Sequence, residues 1–203
     1  MSEQQDPQTR HKRKMAKQKS QIDHGIAAAQ QERGVLILLT GDGKGKSSSA
    51  FGMVMRSLGY GHSVGVVQFI KGVQLSGEEI FLRERHPEVE LYQMATGFTW
   101  ETQDRAGDIA AAETTWAVAE RMLADTRLNL VVLDELTYML GFKYLDESRV
   151  LEALHQRPPE QSVVVTGRGG GSGLQALADT VADINDIKHA YKSGIKARLG
   201  IDF

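Results

Sequence analysis

Short apolar runs alternate along this chain with longer stretches whose apolar residues recur at helical spacing. The runs "GVLILLT" (34–40), "VGVVQFI" (64–70), "VELYQM" (89–94), "LNLVVLD" (128–134) and "QSVVVTG" (161–167) are rich in β-branched residues and read as strands. Helical patterns fall between and after them, over 46–58, 77–85, 105–124, 147–156 and 173–179. Runs as continuously apolar as "LILL" and "LVVL" suit strands covered on both faces. The alternation predicts an α/β fold, an open and mostly parallel sheet joined by right-handed helical crossovers, with helices on both faces. A final stretch, "VADINDIKHAY" (181–191), adds one more edge strand to this expectation. The longest irregular pieces, 71–77, 95–104 and 168–173, all follow predicted strands, where the carboxyl ends of an open α/β sheet form its binding crevice.

Length and composition narrow this picture. A chain of 203 residues with 41% hydrophobic content fits one globular domain, long enough to bury roughly 70% of its unfolded surface. With 24 Lys and Arg against 26 Asp and Glu, the net charge of −2 supplies no overall field for nucleic acid. Cysteine is absent, which excludes disulfides, thiol chemistry and Cys-based metal sites and suits a reducing cytoplasm. No apolar run approaches the ~20 residues needed to span a bilayer, so neither a membrane nor a nucleic-acid partner is expected. Charge is uneven all the same. "RHKRKMAKQK" (10–19) holds six basic residues and no acid. It reads as a solvated tail or as an arm that orders over an anionic or polar ligand. The expected division is a basic, partly flexible N-terminal arm over 1–29 and an α/β domain over 30–203.

The candidate chemistry begins at "TGDGKGKS" (40–47), close to the phosphate-binding pattern G-x-x-x-x-G-K-[ST]. Thr40 stands where that pattern has its first glycine, while Gly45, Lys46 and Ser47 are intact. An apolar strand precedes the turn and a helical "SSSAFGMVMRSLG" follows. In that setting amide N–H groups and a helix N-terminus wrap a polyphosphate. Gly41 and Gly43 let the backbone approach the oxygens, Lys46 contributes a point charge, and Ser47 offers a hydroxyl to Mg²⁺. "LVVLDE" supplies the acids expected at the end of a buried strand. Asp134 would support the metal's coordination shell, and Glu135 would ligate it or orient a group. The other reading of "DE" is an acidic cap on the next helix. Arg168, at the end of the fifth strand, suits a phosphate or carboxylate, or is simply exposed. Phe98 and Trp100 stand in the small, polar loop "ATGFTWETQD" (95–104), against a flat apolar ligand or against the domain's own core. These parts leave the reaction open among hydrolase, kinase, motor and group transferase, and leave open a non-catalytic nucleotide sensor.

Taken together, "TGDGKGKSSSAFG", "VGVVQFIKG", "MATGFTWET", "VVLDELTYM", "TGRG", "ADTV" and "KHAYKSGIKARLGID" resemble the P-loop type of ATP:corrinoid adenosyltransferase, from about residue 30 onward. Thr40 is that family's own form of the loop. The resemblance implies a single P-loop NTPase domain with a RecA-like sheet, acting as a homodimer. It implies transfer of the 5′-deoxyadenosyl group of ATP to the Co(I) of cob(I)alamin or cobyrinic acid a,c-diamide, releasing triphosphate. ATP would lie reversed in the loop, so that the cradle grips the leaving group. Gly41, Asp42, Gly43, Lys44, Gly45, Lys46, Ser47, Ser48 and Arg168 would bind nucleotide. Ser47 and Glu135 would hold Mg²⁺ or Mn²⁺, with Asp134 behind them. Phe98 and Trp100 would cover the lower face of the corrin and exclude an axial ligand, easing reduction to Co(I) by reduced flavodoxin or flavin. The basic arm would close over the corrinoid. The reading that competes with this is an ATPase or small-molecule kinase transferring the γ-phosphate, with Glu135 as base.

Overall fold

The computed structural model describes residues 6–70, 75–94 and 104–202. The chain divides into two compact units, Met1–Glu32 and Arg33–Phe203. In the first, helix α1 (Pro7–Ala28) is exposed along its whole length. The sequence pattern assigned no helix here, because no sustained apolar stripe marks one. Helix-favouring Lys, Arg, Gln and Ala residues and a proline at the first turn account for it.

The second unit is built on six strands: β1 (Leu36–Thr40), β2 (Val64–Gln68), β3 (Glu90–Gln93), β4 (Leu130–Asp134), β5 (Ser162–Thr166) and β6 (Thr180–Asp183). They form one sheet in the order β3-β2-β4-β5-β1-β6, and every pairing is parallel. The edge strand expected over 181–191 is real but short, ending at Asp183. Helices α2 (Lys46–Gly59), α3 (Gly77–Arg85), α4 (Arg105–Ala124), α6 (Glu147–Gln156) and α7 (Gly171–Leu177) match the helical patterns to within two residues. Helix α5 (Leu136–Gly141) was anticipated only by the reading of "DE" as a cap on the next helix, and a 3₁₀ turn at Ala190–Ser193 not at all, both being too short to show a period.

Side chains alternate across the sheet into two cores. Leu36, Leu38, Val131, Leu133, Val163 and Val165 pack with Trp116, Met122, Met139 and Leu154 of the helices on one face. Val64, Val66, Leu130, Val132 and Val164 pack with Ala50, Phe51 and Val54 of α2 and Leu82 of α3 on the other. Each such side chain contributes about 1.5–3 kcal/mol when fully buried, so two covered faces hold the sheet rigid where its strand ends must place chemistry. Gly65 allows close packing, since a Cβ there would lie 2.9 Å from Met122 Sδ. Asp179 anchors the start of β1: it accepts from the Leu36 amide at 2.8 Å and from both terminal nitrogens of Arg33.

Candidate active site

At the carboxyl edge of the sheet a cavity of about 1060 Å³ opens beside the glycine turn. Its walls include Asp42–Ser48 of that turn, Asp134 and Glu135 after β4, Arg168 after β5, and a C-terminal stretch from Asp186 to Asp202. Because β5 lies between β1 and β4, the residues following it emerge between the turn and the two acids.

The turn is shaped by its glycines. Gly41 has φ +97° and Gly45 has φ +125°, a region that L side chains rarely adopt. Gly43 donates its amide to Ile184 O at 2.6 Å, and a Cβ on it would sit 2.6 Å from the same oxygen. Gly45 caps α2 with no side-chain hydrogen bond, and no acid stands in the helix's first turn. The positive end of α2 is therefore not offset by any acid of the helix itself, which favours a phosphate there. Thr40 closes β1 as an ordinary strand residue, and its hydroxyl donates to Gly169 O at 2.6 Å. That bond ties the turn to the loop after β5, a role glycine could not fill.

Lys46 is buried, and its Nζ donates to Gly43 O at 2.8 Å. Burial lowers its pKa, while Glu135 acts in the opposite sense. Glu135 occupies the cap position of α5 in the left-handed region (φ 61°), yet its side chain makes no cap bond. The capping alternative is thus realised in position and not in chemistry. Burial, and then the neighbouring Asp134, push the Glu135 carboxyl up to about 7. Its Oε2 is buried without a hydrogen-bond partner. Asp134, by contrast, is fully engaged: Oδ1 accepts from Thr166 Oγ1 at 2.6 Å and Oδ2 from Gln68 Nε2 at 3.0 Å. Thr166 Oγ1 also accepts from the Glu135 amide at 2.9 Å, and Thr137 Oγ1 donates to Arg168 O at 2.9 Å. The ends of β4 and β5 are thereby locked together.

Three cations at the cavity are held by acids: Arg168 Nε lies 3.6 Å from Asp42, Lys44 Nζ 3.0 Å from Asp202, and Lys192 Nζ 2.6 Å from Asp186. The Arg168–Asp42 and Lys44–Asp202 pairs are solvent-facing, and pairs of that kind are worth about 0–1 kcal/mol, little for a competing polyphosphate to overcome. The structure brings together Gly41, Asp42, Gly43, Lys44, Gly45, Lys46, Ser47, Ser48, Asp134, Glu135 and Arg168. Phe98 and Trp100 lie outside the described residues. Sequence reasoning missed Gln68, Thr166, Asp186, His189, Tyr191, Lys192 and Asp202. For Gln68 there was a signal, an amide closing an otherwise apolar strand.

A glycine cradle opening a helix, faced by acids from a strand two places away in a parallel sheet, is what a P-loop nucleotide-binding α/β protein presents. Within that class, the chain belongs to the ATP:corrinoid adenosyltransferase BtuR/CobO/CobP family, whose model matches residues 32–203. It is 53% identical to the corrinoid adenosyltransferase of Pseudomonas aeruginosa over 203 residues, all of both chains. It is 50% identical to corrinoid adenosyltransferase CobA of Salmonella typhimurium over 194 residues, 96% of this chain and 98% of that one. Among solved structures, the RadB recombinase covers 78% of this chain and 77% of its own at 14% identity, with a TM-score of 0.43. That likeness is too slight to carry an argument. Among the described residues, no helix is long and apolar enough to cross a membrane.

Proposed function

We propose that this protein transfers the 5′-deoxyadenosyl group of ATP to the Co(I) centre of a corrinoid. Family membership along nearly the whole chain carries this reading, and the cradle's geometry supports it. The lone pair on Co(I) attacks C5′ of the ribose, the C5′–O5′ bond breaks, and its electron pair leaves on triphosphate. Cobalt is oxidised by two electrons as the carbon is reduced. No side chain need activate so strong a nucleophile. The protein's work is to hold C5′ in line and to stabilise charge on the departing triphosphate. Lys46, Lys44, Arg168 and the open N-terminus of α2 supply that charge. The cradle grips the leaving end of the nucleotide, so ATP lies with its sugar turned toward the second substrate.

The buried, partnerless Oε2 of Glu135 fits a cation that comes with the nucleotide. Mg²⁺ or Mn²⁺ would be held by Glu135 and the Ser47 hydroxyl, with Asp134 behind, and would neutralise phosphate charge. In this reading Phe98 and Trp100 cover the lower face of the corrin, so that water and other axial ligands cannot reach cobalt. Helix α1, basic and carrying the exposed Met15, Ile22 and Ile26, has the character of an arm that covers the corrinoid. A homodimer in the cytoplasm, whose bound corrinoid is reduced to Co(I) by reduced flavodoxin or flavin, completes the proposal. The absence of cysteine suits that setting. Hydrolysis or γ-phosphate transfer with Glu135 as base is not favoured by the family. The deciding experiment incubates the protein with Mg·ATP and chemically reduced cob(I)alamin. Adenosylcobalamin and triphosphate are expected, whereas ADP and phosphate without either would overturn the reading.

A further inference from the structure

Across the carboxyl edge of the sheet runs one row of hydrogen-bonded polar side chains, reaching from Asp134 and Gln68 at the cavity to Gln93 and Glu79. Gln68, the last residue of β2, is the register partner of Gln93 on β3 and of Asp134 on β4. In parallel strands such partners point the same way, so the three side chains meet. Gln68 Nε2 donates to Asp134 Oδ2 at 3.0 Å, and Gln93 Nε2 donates to Gln68 Oε1 at 2.8 Å. The same Gln93 nitrogen donates to Glu79 Oε2 at 2.8 Å, while Arg83 Nε donates to Glu79 Oε1 at 2.9 Å. Gln68 is 4% exposed, Asp134 3% and Glu79 1%.

The orientation of every amide in this row follows from its ends. If Gln68 were turned over, its carbonyl would face the Asp134 carboxylate, acceptor against acceptor. With Oε1 forced toward β3, Gln93 must present its NH₂, and the second hydrogen of that group finds Glu79. Two buried acids thus set two amides between them, and no amide turns without leaving a buried acceptor unpaired.

We propose that Gln68 and Gln93 are positioning residues for the metal–nucleotide site, holding the Asp134 carboxylate in one rotamer beside Glu135. The proposal rests on the reading above that Glu135 and Ser47 hold the ion with Asp134 behind them. Gln68 acts directly on Asp134; Gln93 acts through Gln68. On the other side Thr166 clamps the second Asp134 oxygen and the Glu135 amide, so the carboxylate is held from both neighbouring strands. An outer partner of this kind typically alters metal affinity about 10–100-fold when removed.

The test uses the full-length protein with ATP and no corrinoid, and follows Mn²⁺ binding by electron paramagnetic resonance beside thermal melts. Gln68→Met removes the donor at nearly constant volume and is expected to weaken Mn²⁺ roughly tenfold. Gln93→Met, at a half-buried site, is expected to weaken it by a smaller factor, because Gln68 keeps its bond to Asp134 and loses only the donor to its own Oε1. If Gln68→Met does not fold, Gln93→Met decides alone. A folded variant that melts earlier but binds Mn²⁺ as the wild type does would reduce the row to a structural role and overturn the proposal. Should the wild-type chain bind ATP equally well without Mn²⁺, the reading of the metal site fails, and this inference with it.

Discussion

Glu135 stores an electrostatic cost that a neutral side chain would not, and the size of that cost follows from the site. Its carboxyl, 4.5 when free, is raised to about 7 by burial first and by Asp134 second. A carboxyl raised in the folded state makes its full contribution to stability below its unfolded value, and loses it as pH climbs through the folded value. Between those limits the deficit grows to about 3 kcal/mol, at 1.36 kcal/mol per unit of pKa. At pH 5 the deficit is under about 1 kcal/mol, and at pH 8 it is complete. Glu135→Gln is neutral throughout, and whatever packing cost it carries is independent of pH. The stability of the variant relative to wild type should therefore improve by about 2–3 kcal/mol between pH 5 and pH 8. For a domain of this length that is a relative shift in Tm of roughly 5–10 °C. The measurement is thermal or urea unfolding of both proteins at the two pH values, free of metal and nucleotide. A stability difference that stays constant from pH 5 to pH 8 would refute the reasoning. The same variant should bind Mg·ATP weakly, because the cost in the free protein is what a cation relieves.

Other consequences are as direct. Gly43→Ala places a Cβ 2.6 Å from Ile184 O and 2.7 Å from the Asn185 backbone, neither of which yields easily. ATP affinity by calorimetry should fall at least about tenfold as the turn shifts; unchanged affinity would mean the cradle tolerates distortion. Asp179→Ala should cost about 1–3 kcal/mol at pH 7, since it strands the Leu36 amide and takes away the acid facing Arg33 and the partly buried Arg157. Arg33 and the Leu36 amide hold the Asp179 carboxyl well below its usual range, so its contribution is present at neutral pH and drains away as pH falls below 3.8. Unfolding curves of wild type and variant should accordingly converge on acidification. Trp100→Ala should depress turnover from Co(II) plus reductant more than turnover from preformed Co(I). Equal losses in the two assays would assign Trp100 to folding or binding alone.

Much of the architecture was legible because strands covered on both faces must be apolar throughout their middles, as "LVVL" (130–133) and "VVV" (163–165) are. Helices packed on such a sheet must repeat near 3.6, as α2 and α6 do. The glycine turn and Asp134–Glu135 were legible for a different reason: polyphosphate chemistry demands particular residues at fixed spacing along the chain. Helix α1 escaped notice because it buries nothing, so no apolar period betrays it. Helix α5 is too short for a period to emerge.

The sequence alone determined an α/β chain with a phosphate cradle, because local periodicity and local turn chemistry are properties of neighbours along the chain. Tertiary structure decided that β5 enters between β1 and β4, that Gln93, Gln68 and Asp134 stand in one row, and that Asp202 lies against Lys44. It also decided that Glu135 is buried with an oxygen unpaired. Those facts join residues from 25 to 158 positions apart. Only the folding of the whole sheet sets which of them share a dry, low-dielectric edge, and it is there that charge and hydrogen bonds acquire their strength.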